Sequence, residues 1–178
     1  MNQEQGVDQL RALIRNVADF PKPGIVFKDF TPLLADPRGL ALAVELMANP
    51  YRGTGVEVVV GAESRGFIFG GALAHQLKAG FVPVRKRGKL PGPTLEEECE
   101  LEYGRDVLAI HEDAIQPGQK VLVVDDLLAT GGTMAATLRL VERLGGKVVG
   151  TAFLIELAFL KGRDRLRGYD VDALITYD

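Results

Sequence analysis

Val121-Leu122-Val123-Val124-Asp125-Asp126-Leu127-Leu128-Ala129-Thr130-Gly131-Gly132-Thr133 is the stretch whose reading decides the fold. Its continuous apolar start is the pattern of a central parallel strand covered on both faces. Two adjacent carboxylates end that strand. A loop of small, hydroxyl and glycine residues follows, and a helix over about 133–144 begins behind it, stopped by Gly145-Gly146. In open parallel sheets, ligands bind outside the carboxyl ends of the strands. A helix N-terminus adds unpaired N–H groups and a positive dipole end, which suit a phosphate. Gly131 and Gly132 let the backbone curl around the anion beside the small Ala129, and Thr130 and Thr133 can donate hydroxyl hydrogen bonds. Asp125 and Asp126 would repel a phosphate unless they face sugar hydroxyls or a hard cation such as magnesium. The expected ligand is a sugar phosphate, with its phosphate on the glycine loop and its ribose hydroxyls on the aspartates.

The rest of the chain alternates strand and helix around this segment. Leu10, Leu13, Ile14 and Val17 recur at helical spacing and predict a first helix over about 8–17. Phe20-Pro21-Lys22-Pro23-Gly24 ends it as a turn, and Ile25-Val26-Phe27 reads as a short extended piece. A helix is expected from Arg38 to Met47 and a strand from Val56 to Val60. The loop Gly61-Ala62-Glu63-Ser64-Arg65-Gly66 leads into a helix over about 67–78. Phe81–Val84, Val107–Ile110, Val148–Leu157 and Val171–Thr176 read as further strands. The order argues for a mostly parallel α/β sheet flanked by helices in a single domain. Residues 86–104 break the pattern: Arg85-Lys86-Arg87-Gly88-Lys89, then Pro91-Gly92-Pro93, then five glutamates within 96–102. Glu98, Glu100 and Glu102 alternate with Cys99, Leu101 and Tyr103, which is strand periodicity. This segment reads as a polar arm or hairpin that leaves the core.

Composition excludes several classes. The 178 residues carry 21 basic and 24 acidic side chains, a formal net charge of −3, with 47% hydrophobic and 25% charged residues. That balance is ordinary for a globular chain, and the acidic excess disfavours a nucleic-acid partner. No run of about 18 apolar residues exists to span a membrane. The polar start, Met1–Gln9, has no signal-peptide pattern, so a cytoplasmic location is expected. Cys99 is the only cysteine. It excludes an intrachain disulfide and a multi-cysteine metal site, and in a charged arm it would be open to oxidation if exposed. His75 and His111 are read as structural or surface residues.

The thirteen-residue segment resembles the phosphoribosyl pyrophosphate signature of the type I phosphoribosyltransferases. Three further segments are similar to that family's motifs in the expected order. Phe20–Asp29 resembles a base-binding segment, Gly61–Phe67 a pyrophosphate loop, and Arg85–Gly92 with Leu101–Gly104 a mobile catalytic arm. The resemblance runs from about 20 to about 161. It implies the type I phosphoribosyltransferase fold: a mostly parallel twisted sheet, a small N-terminal hood over about 1–35, and a mobile arm over about 86–104. It implies a pentosyl transfer in which adenine and phosphoribosyl pyrophosphate give AMP and pyrophosphate. Magnesium enters with the pyrophosphate and has no direct protein ligand, and a homodimer is expected.

The resemblance also assigns roles. Arg65, Arg85, Lys86 and Lys89 would hold the pyrophosphate, which suits the fork of arginine and the mobile charge of lysine. Val26 and Lys28 would meet the base, Lys28 standing where many relatives have arginine. Glu102 would manage the purine proton, and Tyr103 would close over the site. From the residues alone nothing separates Glu102 from Glu98 or Glu100. A different purine base, or a nucleotide-sensing regulator on the same fold, are the alternatives. The Phe20–Asp29 segment favours adenine, and the absence of spare length for a DNA-binding domain disfavours the regulator.

Overall fold

The computed structural model describes residues 3–101 and 104–178, Leu101 by its backbone alone. Glu102 and Tyr103 lie outside the described residues. The chain divides into two compact units, residues 1–46 and 47–178.

The first unit holds α1 (Gln3–Ala12), the antiparallel strands β1 (Arg15–Ala18) and β2 (Val26–Asp29), α2 (Thr31–Ala35) and most of α3 (Pro37–Ala48). The first helix is therefore about five residues earlier than its apolar spacing predicted, at the same length. Tight turns at Leu13 and Ile14 end it, their N–H groups donating to Leu10 O and Arg11 O at 3.0 and 3.1 Å. Asn16 and the β-branched Val17 are weak helix formers, and they pair instead with Lys28 and Phe27 in the hairpin. Phe20 and Phe27 meet edge to face at 5.2 Å across its turn. The unanticipated α2 starts where Asp29 Oδ1 accepts from Thr31 N and Oγ1 at 2.9 and 2.7 Å. Asp36 caps α3 in the same way, accepting from Arg38 N and Gly39 N at 3.0 and 2.7 Å, with Pro37 at the first helical position.

The second unit is built on a seven-stranded sheet. Its strands are β3 (Val58–Ala62), β4 (Gly80–Lys86), β5 (Thr94–Leu101), β6 (Gly104–His111), β7 (Lys120–Leu128), β8 (Lys147–Leu157) and β9 (Val171–Tyr177), in the order β5-β6-β4-β3-β7-β8-β9. The five strands from β4 to β9 in that order are parallel, and β6 and β5 add an antiparallel edge. The mostly parallel α/β architecture read from the sequence is the one observed.

Two helices connect the parallel strands. α4 (Gly66–Leu77) joins β3 to β4 on one side, and α5 (Gly132–Arg143) joins β7 to β8 on the other. Right-handed crossovers running in opposite directions put them on opposite faces of the sheet. Alternate residues follow suit. Val58, Val60, Val121 and Val123 share one apolar cluster with Leu138 and Val141 of α5, whereas their fully buried neighbours Val59, Leu122 and Val124 are not part of it. Coverage on both faces is what the unbroken apolar run Val121–Val124 requires. The α5 helix stops at Gly145, whose N–H donates to Glu142 O while Gly146 N donates to Val141 O.

Strands β5 and β6 pair antiparallel from Thr94↔His111 to Leu101↔Gly104 and make a hairpin. Its underside belongs to the core rather than to solvent: Cys99 is 2% exposed and sits in the apolar cluster with Val84, Leu108 and Met134. Burial pushes its thiol pKa up, which makes it a poor nucleophile. Far from this edge, Tyr51 donates its hydroxyl to Asp172 Oδ2 at 2.7 Å and lies against Thr151 O at 3.1 Å, tying the chain before β3 to the β8–β9 side of the sheet.

The first unit has an acid-sensitive anchor. Arg15 donates two hydrogen bonds to Asp29 Oδ2, at 3.1 and 2.6 Å, and with the Thr31 bonds they hold the carboxyl pKa down to about 2. A depressed folded-state pKa gives stability that is full above the unfolded value of 3.8 and is lost as pH falls through the folded value. Asp29→Asn should therefore lower the melting temperature at pH 7, and the gap from the parent should close between about pH 4 and pH 2. Melting curves across that range check it; a constant gap would contradict the assignment.

Candidate active site

The β3–β7 pair is where the chain reverses its direction of travel across the sheet. The loops leaving these two strands diverge and leave a crevice at their carboxyl ends, the usual ligand position in open α/β sheets. Parallel register sets what meets there. Gly61 pairs with Val124 on one side and Pro83 on the other, so Glu63–Arg65, Arg85 and Asp125–Asp126 emerge at one end of three adjacent strands.

The expected phosphate loop is shorter than the sequence suggested. β7 continues past the aspartates to Leu128, because β8 pairs with it as far as Leu128↔Glu156. Only Ala129, Thr130 and Gly131 lie between strand and helix. Gly131 has φ +80, and a Cβ there would come within 2.6 Å of the Gly162 carbonyl oxygen. Gly132 is the first residue of α5, and no side chain caps this N-terminus. Its leading N–H groups thus have no helical partner and face the loop. No acidic residue in the first turn opposes an anion. Asp125, Leu128, Ala129 through Thr133 and Phe153 enclose a hollow of about 130 Å³ here. Phe153 and Gly162 come from segments whose sequence carries no signal of this role; the strand neighbourhood brings the first and the close approach to Gly131 the second.

The two aspartates differ, because successive strand residues point to opposite sides. Asp125 lines the hollow and accepts from the Asp126 N–H at 2.9 Å. Desolvation, together with the neighbouring Asp126 charge, holds its carboxyl well above the usual carboxylate range. Asp126 is 6% exposed and does not line the hollow. Its Oδ2 lies 3.3 Å from Arg65 Nε, near enough for ion pairing, yet this oxygen has no hydrogen-bond partner among the described residues. A buried carboxylate oxygen without a hydrogen bond is costly unless a ligand completes it.

The cations anticipated for pyrophosphate are distributed as follows. Arg65 precedes α4 at the end of the β3 loop. Arg85 donates its Nε to Glu63 Oε2 at 2.9 Å and an Nη1 proton to the Lys89 carbonyl at 3.1 Å. Lys86 pairs with Asp106 of β6 at 2.7 Å, and Lys89 is exposed in the turn behind it. Glu63 acquires a purpose that its sequence did not reveal, as the carboxylate that orients Arg85. In the first unit, Val26 is 52% exposed and Lys28 donates to Asn16 Oδ1 at 2.8 Å. His111 Nε2 lies 2.8 Å from the Pro91 carbonyl at the base of the hairpin, and His75 stands in the last turn of α4. Neither reaches the crevice residues. Among the described residues no three His, Cys, Asp or Glu side chains converge as a metal site.

A switch-point crevice with an uncapped helix N-terminus, an aspartate pair and two arginines nearby has the features that suit a phosphorylated sugar. The sequence profile of the phosphoribosyl transferase domain matches residues 31–175, and the chain belongs to that family. Its relatives there include the adenine phosphoribosyltransferase of Roseobacter denitrificans, 58% identical over 93% of this chain and 95% of that one. The crystal structure of adenine phosphoribosyltransferase from Rhodothermus marinus superposes with a TM-score of 0.92 at 55% identity, covering 98% of this chain and 99% of that one. The Saccharomyces cerevisiae adenine phosphoribosyltransferase, solved with adenine and an imino-altritol bisphosphate, gives 0.91 at 39% identity over 96% and 99% of the two chains. Within the family, the likeness is to adenine phosphoribosyltransferases.

Gly131 tests the cradle. Gly131→Val should abolish ribose 5-phosphate binding, since the residue needs positive φ and its side chain meets the Gly162 carbonyl. The same collision should also lower the melting temperature. Calorimetric titration is the readout; an affinity within twofold of the parent would remove the loop from the site.

Proposed function

We propose that this chain catalyses adenine phosphoribosyl transfer: adenine and phosphoribosyl pyrophosphate give AMP and pyrophosphate, a purine-salvage reaction. The observation that carries the reading is the pairing of an uncapped α5 N-terminus with a buried aspartate oxygen that lacks a hydrogen-bond partner among the described residues. One half of that site suits a phosphate and the other a ribose hydroxyl. This combination of N–H donors and a carboxylate acceptor supports a ribose 5-phosphate as the ligand.

In this reading the 5-phosphate sits on Ala129–Thr133, and Asp125 and Asp126 take the 2- and 3-hydroxyls. The pyrophosphate lies towards Arg65, Arg85, Lys86 and Lys89. Each of the first three already holds a carboxylate, so the anion would exchange for an ion pair and meet a cation whose position is set. Magnesium would enter with the pyrophosphate, as part of the substrate. The Asp125–Asp126 pair faces the ribose hydroxyls rather than ligating the ion directly. The ion would offset pyrophosphate charge as the leaving group departs.

The transfer itself forms the bond from a purine ring nitrogen to the anomeric carbon and breaks the bond from that carbon to pyrophosphate, which leaves with the electron pair. The proton on the purine nitrogen goes to Glu102, and Tyr103 closes the site against water. The first unit acts as a hood whose Val26 and Lys28 meet the base, and the hairpin over about 86–104 acts as the moving arm. No helix among the described residues is long and apolar enough to cross a membrane. A cytoplasmic homodimer without nucleic-acid or membrane partners completes the proposal.

Pyrophosphate release from phosphoribosyl pyrophosphate and magnesium, with adenine, hypoxanthine, guanine and xanthine in parallel, decides the reading. Release with adenine alone is expected. Release with another base would overturn the specificity, and no release with any base would overturn the activity. Glu102→Ala should lower kcat at least about tenfold while phosphoribosyl pyrophosphate binding persists; an unchanged kcat would remove Glu102 from the chemistry.

A further inference from the structure

The charged hairpin is fastened to α5 by a grip that the reaction chemistry leaves unexplained. Arg139 donates Nε to Glu97 Oε1 at 2.7 Å and Nη2 to the Glu98 carbonyl at 3.2 Å. Arg143, one helical turn on and hence on the same face, donates Nη1 to the Glu96 carbonyl at 2.7 Å and to Glu97 Oε2 at 3.0 Å. The two oxygens of Glu97 are thus divided between two arginines, and the carboxyl pKa falls, the Arg139 bond being the largest cause.

An isolated exposed ion pair contributes little to stability. This one differs in two ways. Two cations share one carboxylate, and both also hold main-chain carbonyls of β5, which no change of glutamate rotamer can release. Beneath the grip Cys99 is sealed at 2% exposure. Beyond it the Glu100 carbonyl rests on Gly132, where a Cβ would overlap it. The docked hairpin therefore touches the phosphate cradle at Gly132, through a residue two places before Glu102.

We propose that Arg139 and Arg143 are positioning residues, which dock the arm on α5 and so set where Glu102 is presented to the bound sugar phosphate. The proposal rests on the role given to Glu102 above. Cys99, as the sole cysteine of the chain, is a built-in reporter of docking that needs no substrate. A disulfide thiol reagent such as 5,5′-dithiobis(2-nitrobenzoate) reaches it only when β5 lifts or the whole chain unfolds. The two routes differ in how steeply labelling responds to denaturant, because local opening exposes little surface.

The experiment compares the full-length parent with Arg139→Ala/Arg143→Ala and Arg139→Lys/Arg143→Lys. The alanine pair should label at least about tenfold faster, with a shallow denaturant dependence and a melting temperature close to the parent's. Its kcat for AMP formation should fall at least about fivefold, with KM for phosphoribosyl pyrophosphate changing less. The lysine pair keeps the charge and should label within about threefold of the parent and recover most of kcat. Unchanged labelling, or acceleration with the steep denaturant dependence of global unfolding, would overturn docking by the arginines. Faster labelling with an unchanged kcat would overturn their positioning role. A parent that forms no AMP from adenine would instead defeat the Glu102 reading, and the labelling rates would still decide whether the arginines dock the arm.

Discussion

Val58 to Gly61 of β3 pair in parallel with Val121 to Val124 of β7, and beyond this pairing the chain departs in opposite directions across the sheet. The divergence opens the crevice, because no crossover covers the gap between two strands whose helices leave for opposite faces. The same pairing determines which side chains meet at the crevice. A register slip would reverse the facing of every residue of one strand, moving Asp125 out of the hollow and Asp126 away from Arg65. Fully buried valines on both faces hold the register, so the geometry of a polar site rests on apolar packing a few residues away.

Charge is arranged around the crevice so that little of it is left without an answering group. Arg85 faces Glu63, Lys86 faces Asp106, and Arg65 lies beside Asp126. Before substrate arrives, these pairs hold the cations in place at modest cost. In the proposed reaction a pyrophosphate would compete for them with more charge per contact than a carboxylate offers, and charge-assisted bonds to phosphate are strong. Asp126 Oδ2 and the uncapped α5 N-terminus remain as groups that no side chain completes among the described residues. In the proposed reading they take the hydroxyl and the phosphate of the same ligand.

The fold was legible wherever one residue pattern had one physical solution. The run Val121–Val124 could only be a covered strand, and Gly131-Gly132 behind it could only be a turn into a helix. Legibility failed where two solutions compete. Leu10, Leu13, Ile14 and Val17 satisfy a helix, but Val17 gains a partner in Phe27 that local sequence cannot reveal. The alternating glutamates of 96–102 gave the strand correctly and its surroundings wrongly, because the burial of Cys99 depends on α5, which lies more than thirty residues later. Within the site, the loop and both aspartates were readable as a local motif. Glu63 as the partner of Arg85, and Gly162 against Gly131, depend on contacts between distant segments, for which the chain carries no local signal.

The central claim is that the orphan oxygen of Asp126 receives a ribose hydroxyl while the α5 N-terminus holds the phosphate of the same molecule. Affinities of ribose 5-phosphate and its 2,3-dideoxy analogue for the parent and for Asp126→Ala form a cycle that tests it directly. If the account holds, loss of the hydroxyls weakens binding to the parent by about tenfold or more, as for a hydrogen bond to a charged group, and costs Asp126→Ala much less. Equal losses in both proteins would show that Asp126 does not meet the sugar and would contradict the account.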